Sequence, residues 1–530
     1  MMLPMTVPRK LSEVRRPFCG LIRIESGWGK LKEVENPRVE TLLQRIKERR
    51  PELGPQLGDG RADLLEVIPM VKSQLHVGVG RTDLTPPLGT RLQGYAVEGR
   101  VAEKIADPLH STALVLERDG LKVAWVSLDL AIVEDEEVEM IRAGVQAKTG
   151  IDPANVTVCS IQNHCAPATQ SVFGWGDKDE AYVEAALPKI VDSVAKAATR
   201  LDAARLGIGT VHSDVGINRR EILEDHSVTL GFNPWGAYDP EMTVLRFEGE
   251  NGPIVTVVHY GAHPTAIGPE PVVSRDWPGV MIDRLEKITG AMTLFINGAV
   301  GDVAPRTNIH DVVGDGLPAA VEVGSRAATH ALSAFNSVKE FRDVELAART
   351  DEIFLPYSPL PTLEEARSEM ALAEPHKDKW GGPMCNYFHW KAVLDAHSRP
   401  HLKGKTLAQT LTRLGPVVLV PFPGEPFAET VLRLRHYSPF QHTLCASTTN
   451  GSNGYFVTRE SRHRGGYEVS VAKALGAYIF SENIDDVLVE ENLRLLRRLL
   501  GDEHTAGPGR DLRLASASVR DPFGNHMRDK

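Results

Sequence analysis

An α/β fold, with mixed β-sheets flanked by helices, is what this sequence predicts, and three observations carry the prediction. Short apolar runs at 156–160, 255–258 and 417–420 read as strands buried on both faces, where the alternation of polar and apolar residues is lost. Between such runs lie stretches with apolar residues at helical spacing, such as Val138, Ile141 and Val145 ahead of Gly150. The strands then give way to loops rich in Gly, Pro, His and Asn, the places where α/β proteins usually put their chemistry.

The size and balance of the chain narrow the function. Its 530 residues, 42% hydrophobic and 25% charged, suffice for one large or two to three smaller cores. A net charge of −10, with no basic cluster interleaved with aromatics, excludes a nucleic-acid footprint and points to a small-molecule substrate. Cys19, Cys159, Cys165, Cys385 and Cys445 are odd in number and lack CxxC spacing, which suits a reducing compartment and offers no zinc ribbon. No apolar run approaches the roughly 20 residues of a membrane span, and the first ten residues lack the order of a signal peptide, so cytoplasmic residence is expected. The length is compatible with a homo-oligomer such as a symmetric dimer, although no residue specifies one.

In chain order, residues 1–75 read as an appendage, with a helix after Asn36-Pro37 that ends by Pro51. The main domain, 76–500, opens on a strand from His76 that exits through Thr85-Pro-Pro87. Strands at 112–117 and 121–128 form a hairpin about Arg118-Asp-Gly120, and a helix from Glu134 to Gly150 leads to the strand at 156–160. A helix from Asp179 to about Leu201 is expected to be interrupted at Pro188. Strands follow at 205–212, 255–258 and 293–296, with a helix capped by residues 274–279 between the last two. From about 317 to 410 the reading is mostly helical, with helices at 318–338 and 362–374 and an aromatic-rich segment, 384–390, suited to a pocket wall or to the core. Strands at 417–420 and 443–449, and a helix at 483–500, complete the domain, and 501–530 is a polar tail.

Several residues at strand ends are candidates for chemistry, each with a plainer alternative. His263 follows the strand at 255–258 and precedes Pro264, which holds its backbone extended; a lone histidine there is as readily structural. His164 and Cys165 lie just beyond 156–160, and Cys165 reads as a buried small residue, because nothing in the sequence stabilises a thiolate. Glu425, after a Pro-Gly turn, either favours a helix N-terminus or ligates a metal. Tyr455 and Tyr467 sit on glycine-flanked turns and need partners for their hydroxyls if buried. The glycines of 297–305 permit close backbone approach, without the Gly-Lys-Ser/Thr ending of a phosphate loop.

Five of these stretches together resemble the neutral (alkaline, non-lysosomal) ceramidase superfamily: Val-Gly-Val-Gly-Arg-Thr-Asp-Leu-Thr-Pro-Pro from Val77, Gly-Ala-His-Pro-Thr about His263, Asn-Gly-Ala-Val-Gly-Asp-Val-Ala-Pro from Asn297, Pro-Gly-Glu-Pro-Phe about Glu425, and Gly-Tyr-Phe-Val-Thr followed by Gly-Tyr-Glu. The resemblance runs from about 76 to 480 and implies a ceramidase-like catalytic domain. In that family zinc is held by two histidines, a glutamate and a tyrosine, and water attacks the amide of N-acylsphingosine. By motif, His263 corresponds to the second histidine, Glu425 to the glutamate and Tyr455 to the tyrosine; Tyr467 corresponds to a tyrosine near the scissile amide and Arg219 to an active-site arginine.

Two departures stand out. The family's His-Thr-His-Ser-Gly-Pro reads Gln162-Asn-His164-Cys-Ala-Pro here, so either His164 completes the site or metal affinity and choice change. A serine proposed as a nucleophile in the family is Ala304, which removes any serine mechanism at that position. The family's C-terminal immunoglobulin-like domain has no counterpart in the residues after 500, and a small soluble substrate is expected in place of membrane ceramide. The expectation is a hydrolase holding one zinc ion through His164, His263, Glu425 and Tyr455, with Arg219, Tyr467 and Asp302 as catalytic residues. Carboxylate acid/base chemistry by Asp129, Asp276 and Asp302 on a glycosidic or other polar bond is the alternative. A non-catalytic binding protein is the third reading, which Gln162 and Ala304 permit.

Overall fold

The computed structural model describes residues 74–501, apart from 96, 98, 173–175, 307–315 and 380. These residues fall in the unit Ser73–Lys530. The proposed appendage helix after Asn36 and the polar tail lie outside them.

Four layers stack through this unit. A five-stranded sheet runs in the order Val156–Ser160, Leu121–Leu128, His110–Arg118, His76–Asp83 and Asp202–Ala203. The hairpin about residue 119 is as expected, with Asp119 and Gly120 at φ of 54° and 82° supplying the left-handed turn. Val156–Ser160 joins in parallel, returning through the helix Asp135–Thr149, which stops where Gly150 turns left-handed at φ 72°. One face of the sheet, including Ala113, Val115, Val126 and Val158, packs on that helix and on the helix Glu180–Thr199. The opposite face, including Leu114, Leu116 and Trp125, meets Phe247, Val257 and Ile296 of a second sheet. That sheet is ordered Met292–Asn297, Gly252–Tyr260, Glu241–Gly249 and Arg205–His212, and its far face packs on the helices Asp276–Thr289 and Gly316–Ser337. Both central strands are therefore buried on two faces, which is why they read as apolar runs.

A third sheet, Leu346–Pro356, Gly404–Leu414, Val417–Pro421 and His442–Ala446, shares both cores through its last two strands. Two short assemblies finish the site wall: Val303–Pro305, Gly216–Ile222 and Val228–Asn233 in one, and Glu425–Pro426 paired in parallel with Tyr455–Phe456 in the other. No helix among the described residues is long and apolar enough to cross a membrane.

Three local expectations are corrected. The helix Glu180–Thr199 runs through Pro188 without interruption, because both Pro188 and Glu184, whose carbonyl loses its partner, face water. The stretch 317–410 carries the helices Gly316–Ser337, Leu363–Ala373 and Gly382–Ala396 but also two strands that were not expected: Leu346–Pro356 and Gly404–Leu414 form an eleven-residue antiparallel ladder. Its first strand is half-exposed and charged through Arg349, Asp351 and Glu352, so neither an apolar run nor clean alternation marks it. Glu425 lies on a two-residue strand, three residues before the helix Ala428–Tyr437; the carboxylate in that helix's first turn is Glu429.

Candidate active site

The carboxyl ends of Val156–Ser160 and Gly252–Tyr260 come from different sheets and open on the same loops. His263 stands three residues beyond Tyr260 and is completely buried. Its backbone N–H and its Nδ1 both bond the carbonyl of Val303 at 3.1 Å, and its own carbonyl accepts from Trp277 Nε1 at 3.0 Å. A carbonyl only accepts, so Nδ1 carries a proton and Nε2 faces the other way. Nε2 lies 3.2 Å from Glu425 Oε2, and neither atom has a hydrogen-bond partner among the described residues. Two buried acceptors at this separation repel unless a proton or a metal cation lies between them.

His164 stands edge-on to the His263 ring at 5.4 Å between centroids, with Tyr95 edge-on at 5.1 Å on another side. Burial first, then the charges of His263, Arg219 and Arg100, holds its imidazole far below the usual histidine range, so it is neutral. Its Nδ1 is also buried without a partner. Asn163, beside it, is tied to the backbone on both sides: its amide nitrogen donates to the carbonyls of Asp129 and Ser274 and its oxygen accepts from Cys165 N–H. Gln162 adopts φ 63°, and its Oε1 is buried without a partner.

Glu425 and Tyr455 are directly paired across their short parallel strands. The Tyr455 hydroxyl accepts from Arg219 Nη2 at 3.1 Å, and burial, with Glu425 next, keeps it a phenol far above its ordinary titration range. Arg219, wholly buried, donates through Nε to Glu468 at 3.0 Å and through Nη2 to the Gly301 carbonyl at 2.9 Å. Its guanidinium lies 5.7 Å from the Tyr467 ring. Gly301 is required there, since a Cβ would come within 2.7 Å of the Glu425 carbonyl.

The structure thus brings His164, His263, Glu425, Tyr455, Arg219 and Tyr467 into one chain of neighbours. Asp302 borders it: its carbonyl accepts Arg219 N–H, and its carboxylate accepts from Ala428 N–H and Asn218 Nδ2. Burial raises this carboxyl to about 7. Asp276 braces the loop after His263, receiving the N–H groups of Ala266, Ile267 and Trp277. Asp129 receives His110 N–H. Both are thus committed to backbone donors. Cys165 is inert, its thiol pushed up to about 12 by burial. Sequence reasoning missed Glu468, Arg220, Trp277 and Asn163. The one available signal for Glu468 was its place in Gly-Tyr-Glu, beside a singled-out tyrosine.

Among the described residues no three His, Cys, Asp or Glu side chains form a metal-holding group by themselves. A cation at the His263–Glu425 pair would need Tyr455 or another oxygen, and the paired lone pairs with a carbonyl-anchored Nδ1–H fit that demand. A cavity of about 350 Å³ does not contain the pair itself, which is sealed; it adjoins the Tyr455 side.

Residues 75–331 match the model of the neutral/alkaline non-lysosomal ceramidase N-terminal domain. These residues belong to the neutral/alkaline non-lysosomal ceramidase family. The fold agrees: neutral ceramidase from Pseudomonas aeruginosa aligns at 18% identity over 83% of this chain and 77% of its own, with a TM-score of 0.61. A ceramidase complexed with C2 aligns at 18% identity over 83% and 78%, with a TM-score of 0.63. No curated protein matches the sequence. The chain therefore has a ceramidase-like fold. Its Ala304, in the place of the family serine, is fully buried on Val303–Pro305 and pairs with Ile217, while the neighbouring Val303 carbonyl fixes the tautomer of His263.

Proposed function

We propose that this chain is a zinc-dependent amidohydrolase that cleaves an amide or related bond of a small substrate. The observation that carries this reading is the buried approach of His263 Nε2 to Glu425 Oε2 at 3.2 Å, with no hydrogen-bond partner for either atom among the described residues. His263, Glu425 and Tyr455, with His164 alongside, would hold the ion; imidazole nitrogen with carboxylate and phenol oxygen is a donor set for zinc. When bound, zinc supplies Lewis-acid chemistry, polarising a carbonyl and making water nucleophilic near neutral pH.

The chain's own groups supply the rest. Val303 holds His263 in the tautomer that leaves Nε2 free. Because Arg219 donates to the Tyr455 oxygen, the phenol's own hydrogen is turned outward, available to an oxygen gaining charge. Arg219 adds a fixed positive charge, oriented by Glu468 and Gly301 so that little reorganisation is needed. Tyr467, flanking the same guanidinium, would meet the leaving group. The free, buried cysteines Cys159, Cys165, Cys385 and Cys445 suit a cytoplasmic setting, which is part of the same proposal.

The test is elemental analysis of protein purified without added metal, alongside His263→Ala, with both assayed on a panel of short N-acyl compounds. One zinc per chain, lost together with amide cleavage in the variant, is expected. Full turnover by a His263→Ala protein, or no stoichiometric metal in the unaltered one, would sink the assignment.

A further inference from the structure

The 350 Å³ cavity lies between the helices Gly382–Ala396 and Tyr467–Ala472 and the turn at 358–361. It shares Val457, Arg462, Ala472 and Ile479 with a narrower space that Tyr455 lines, so the two adjoin on the Tyr455 side of the site. Its walls are largely apolar, from Pro359, Pro361, Val469 and Ile479, yet two cations also line it. Arg462 donates to the Ser358 hydroxyl at 3.3 Å and to the Phe480 carbonyl; Lys473 reaches Asn386 Oδ1 at 3.4 Å. Neither forms an ion pair with a carboxylate among the described residues, although this protein carries ten more acidic than basic groups. Burial pulls the Arg462 guanidinium below its usual range, and the nearby carboxylates of Glu482 and Asp485 offset only part of that.

Two cations that line a small apolar cavity without a carboxylate in direct contact, among the described residues, leave room for a ligand's negative charge. A volume at the low end of small-molecule sites also sets a compact ligand. We propose that the cavity seats the anionic end of the substrate, a small N-acyl compound bearing a carboxylate on a short aliphatic body, between Arg462 and Lys473. The inference rests on the hydrolase reading for the bond that reaches Tyr455, but anion binding stands without turnover. Arg462 and Lys473 are then specificity residues: they touch the end of the substrate that does not react.

The experiment is calorimetric titration of the intact protein and of His263→Ala with hexanoate and, as its neutral counterpart, hexanamide. Hexanoate should bind both proteins at least about tenfold tighter than hexanamide, one or two charge-assisted hydrogen bonds being worth that ratio. Lys473→Gln, on a partly exposed short turn, should erase the preference, whereas Arg462→Lys should keep most of it. Equal binding of the two ligands, no binding of hexanoate, or a preference untouched in Lys473→Gln would overturn the proposal. Hexanoate binding by a protein that cleaves no N-acyl compound would sink the hydrolase reading and leave the anion site. Cleavage of neutral N-acyl compounds without the preference would do the reverse.

Discussion

Removing the charge of Glu468 should be among the most damaging single changes outside the apolar core. This carboxylate is 1% exposed and is shared by two guanidinium groups, the wholly buried Arg219 at 3.0 Å and Arg220, itself 8% exposed. In Glu468→Gln the amide oxygen can still accept a hydrogen bond, but two buried cations lose the anion they share in exchange for a neutral dipole. Breaking a buried ion pair by removing one partner costs about 3–5 kcal/mol, and here the orphaned charge is double. The remaining acceptors, the carbonyls of Gly301, Ser461 and Gly465 and the Tyr455 oxygen, are dipoles and offset only part of it. With a urea slope of about 3 kcal/mol/M, the unfolding midpoint should fall by roughly 1 M or more. Tryptophan fluorescence in urea measures it, and Arg220→Met in the same background should recover part of the loss, because it withdraws one unpaired cation. A midpoint shift below about 0.3 M with an unchanged slope, near 1 kcal/mol, would refute the claim that this carboxylate neutralises the buried guanidinium pair.

Gly94 lies under the His164 ring at φ 107°, and a Cβ there would come within 2.5 Å of it; Gly94→Ala should therefore displace His164 and weaken zinc retention at least about tenfold while far-UV circular dichroism is unchanged, and normal retention would show that His164 does not contribute. Asp129, raised by burial to about 6, stabilises the fold fully below its unfolded value near 4 and loses that contribution as pH rises through 6, whereas His110, lowered by burial to about 4, contributes fully above 6.5 and loses it as pH falls toward 4. The two oppose each other in one pH window, so Asp129→Asn should make stability rise more steeply from pH 4 to 6.5 and His110→Gln should make it fall, each by about 2–3 kcal/mol, in urea titrations across that range; parallel curves for the two variants would contradict the burial assignments.

What could be read from the sequence follows from how each segment is buried. Val156–Ser160, Gly252–Tyr260 and Val417–Pro421 are covered on both faces, so their composition alone marks them as strands. His263 was legible because a buried strand, a glycine and a proline fix where the chain leaves the sheet. Leu346–Pro356 was not, since its stability comes from an eleven-residue ladder with Gly404–Leu414 and its exposed positions carry charge. Glu468 was illegible for a different reason. A glutamate in the first turn of a short helix normally meets water, and only the fold brings Arg219 and Arg220, some 250 residues away, onto both of its oxygens. The same holds for Asn163, whose amide ties Asp129 in one loop to Ser274 in another.

The two departures from the family pattern act on different parts of one arrangement. At 303–305 the backbone does the positioning: Val303 supplies the carbonyl that receives both His263 N–H groups, and the side chain at 304 is buried against the strand Gly216–Ile222. A serine-to-alanine exchange there removes a hydroxyl without disturbing the tautomer of His263, so the geometry of the His263–Glu425 pair does not depend on it. At 162–164 the positioning falls to Asn163, which bridges two loops and leaves His164 neutral beside His263, while Arg100 bonds the His164 carbonyl at 2.9 Å. Glutamine at 162 therefore replaces one imidazole without removing the other from the site. The loops keep their hold on His263 and His164 by backbone and amide contacts that neither exchange touches.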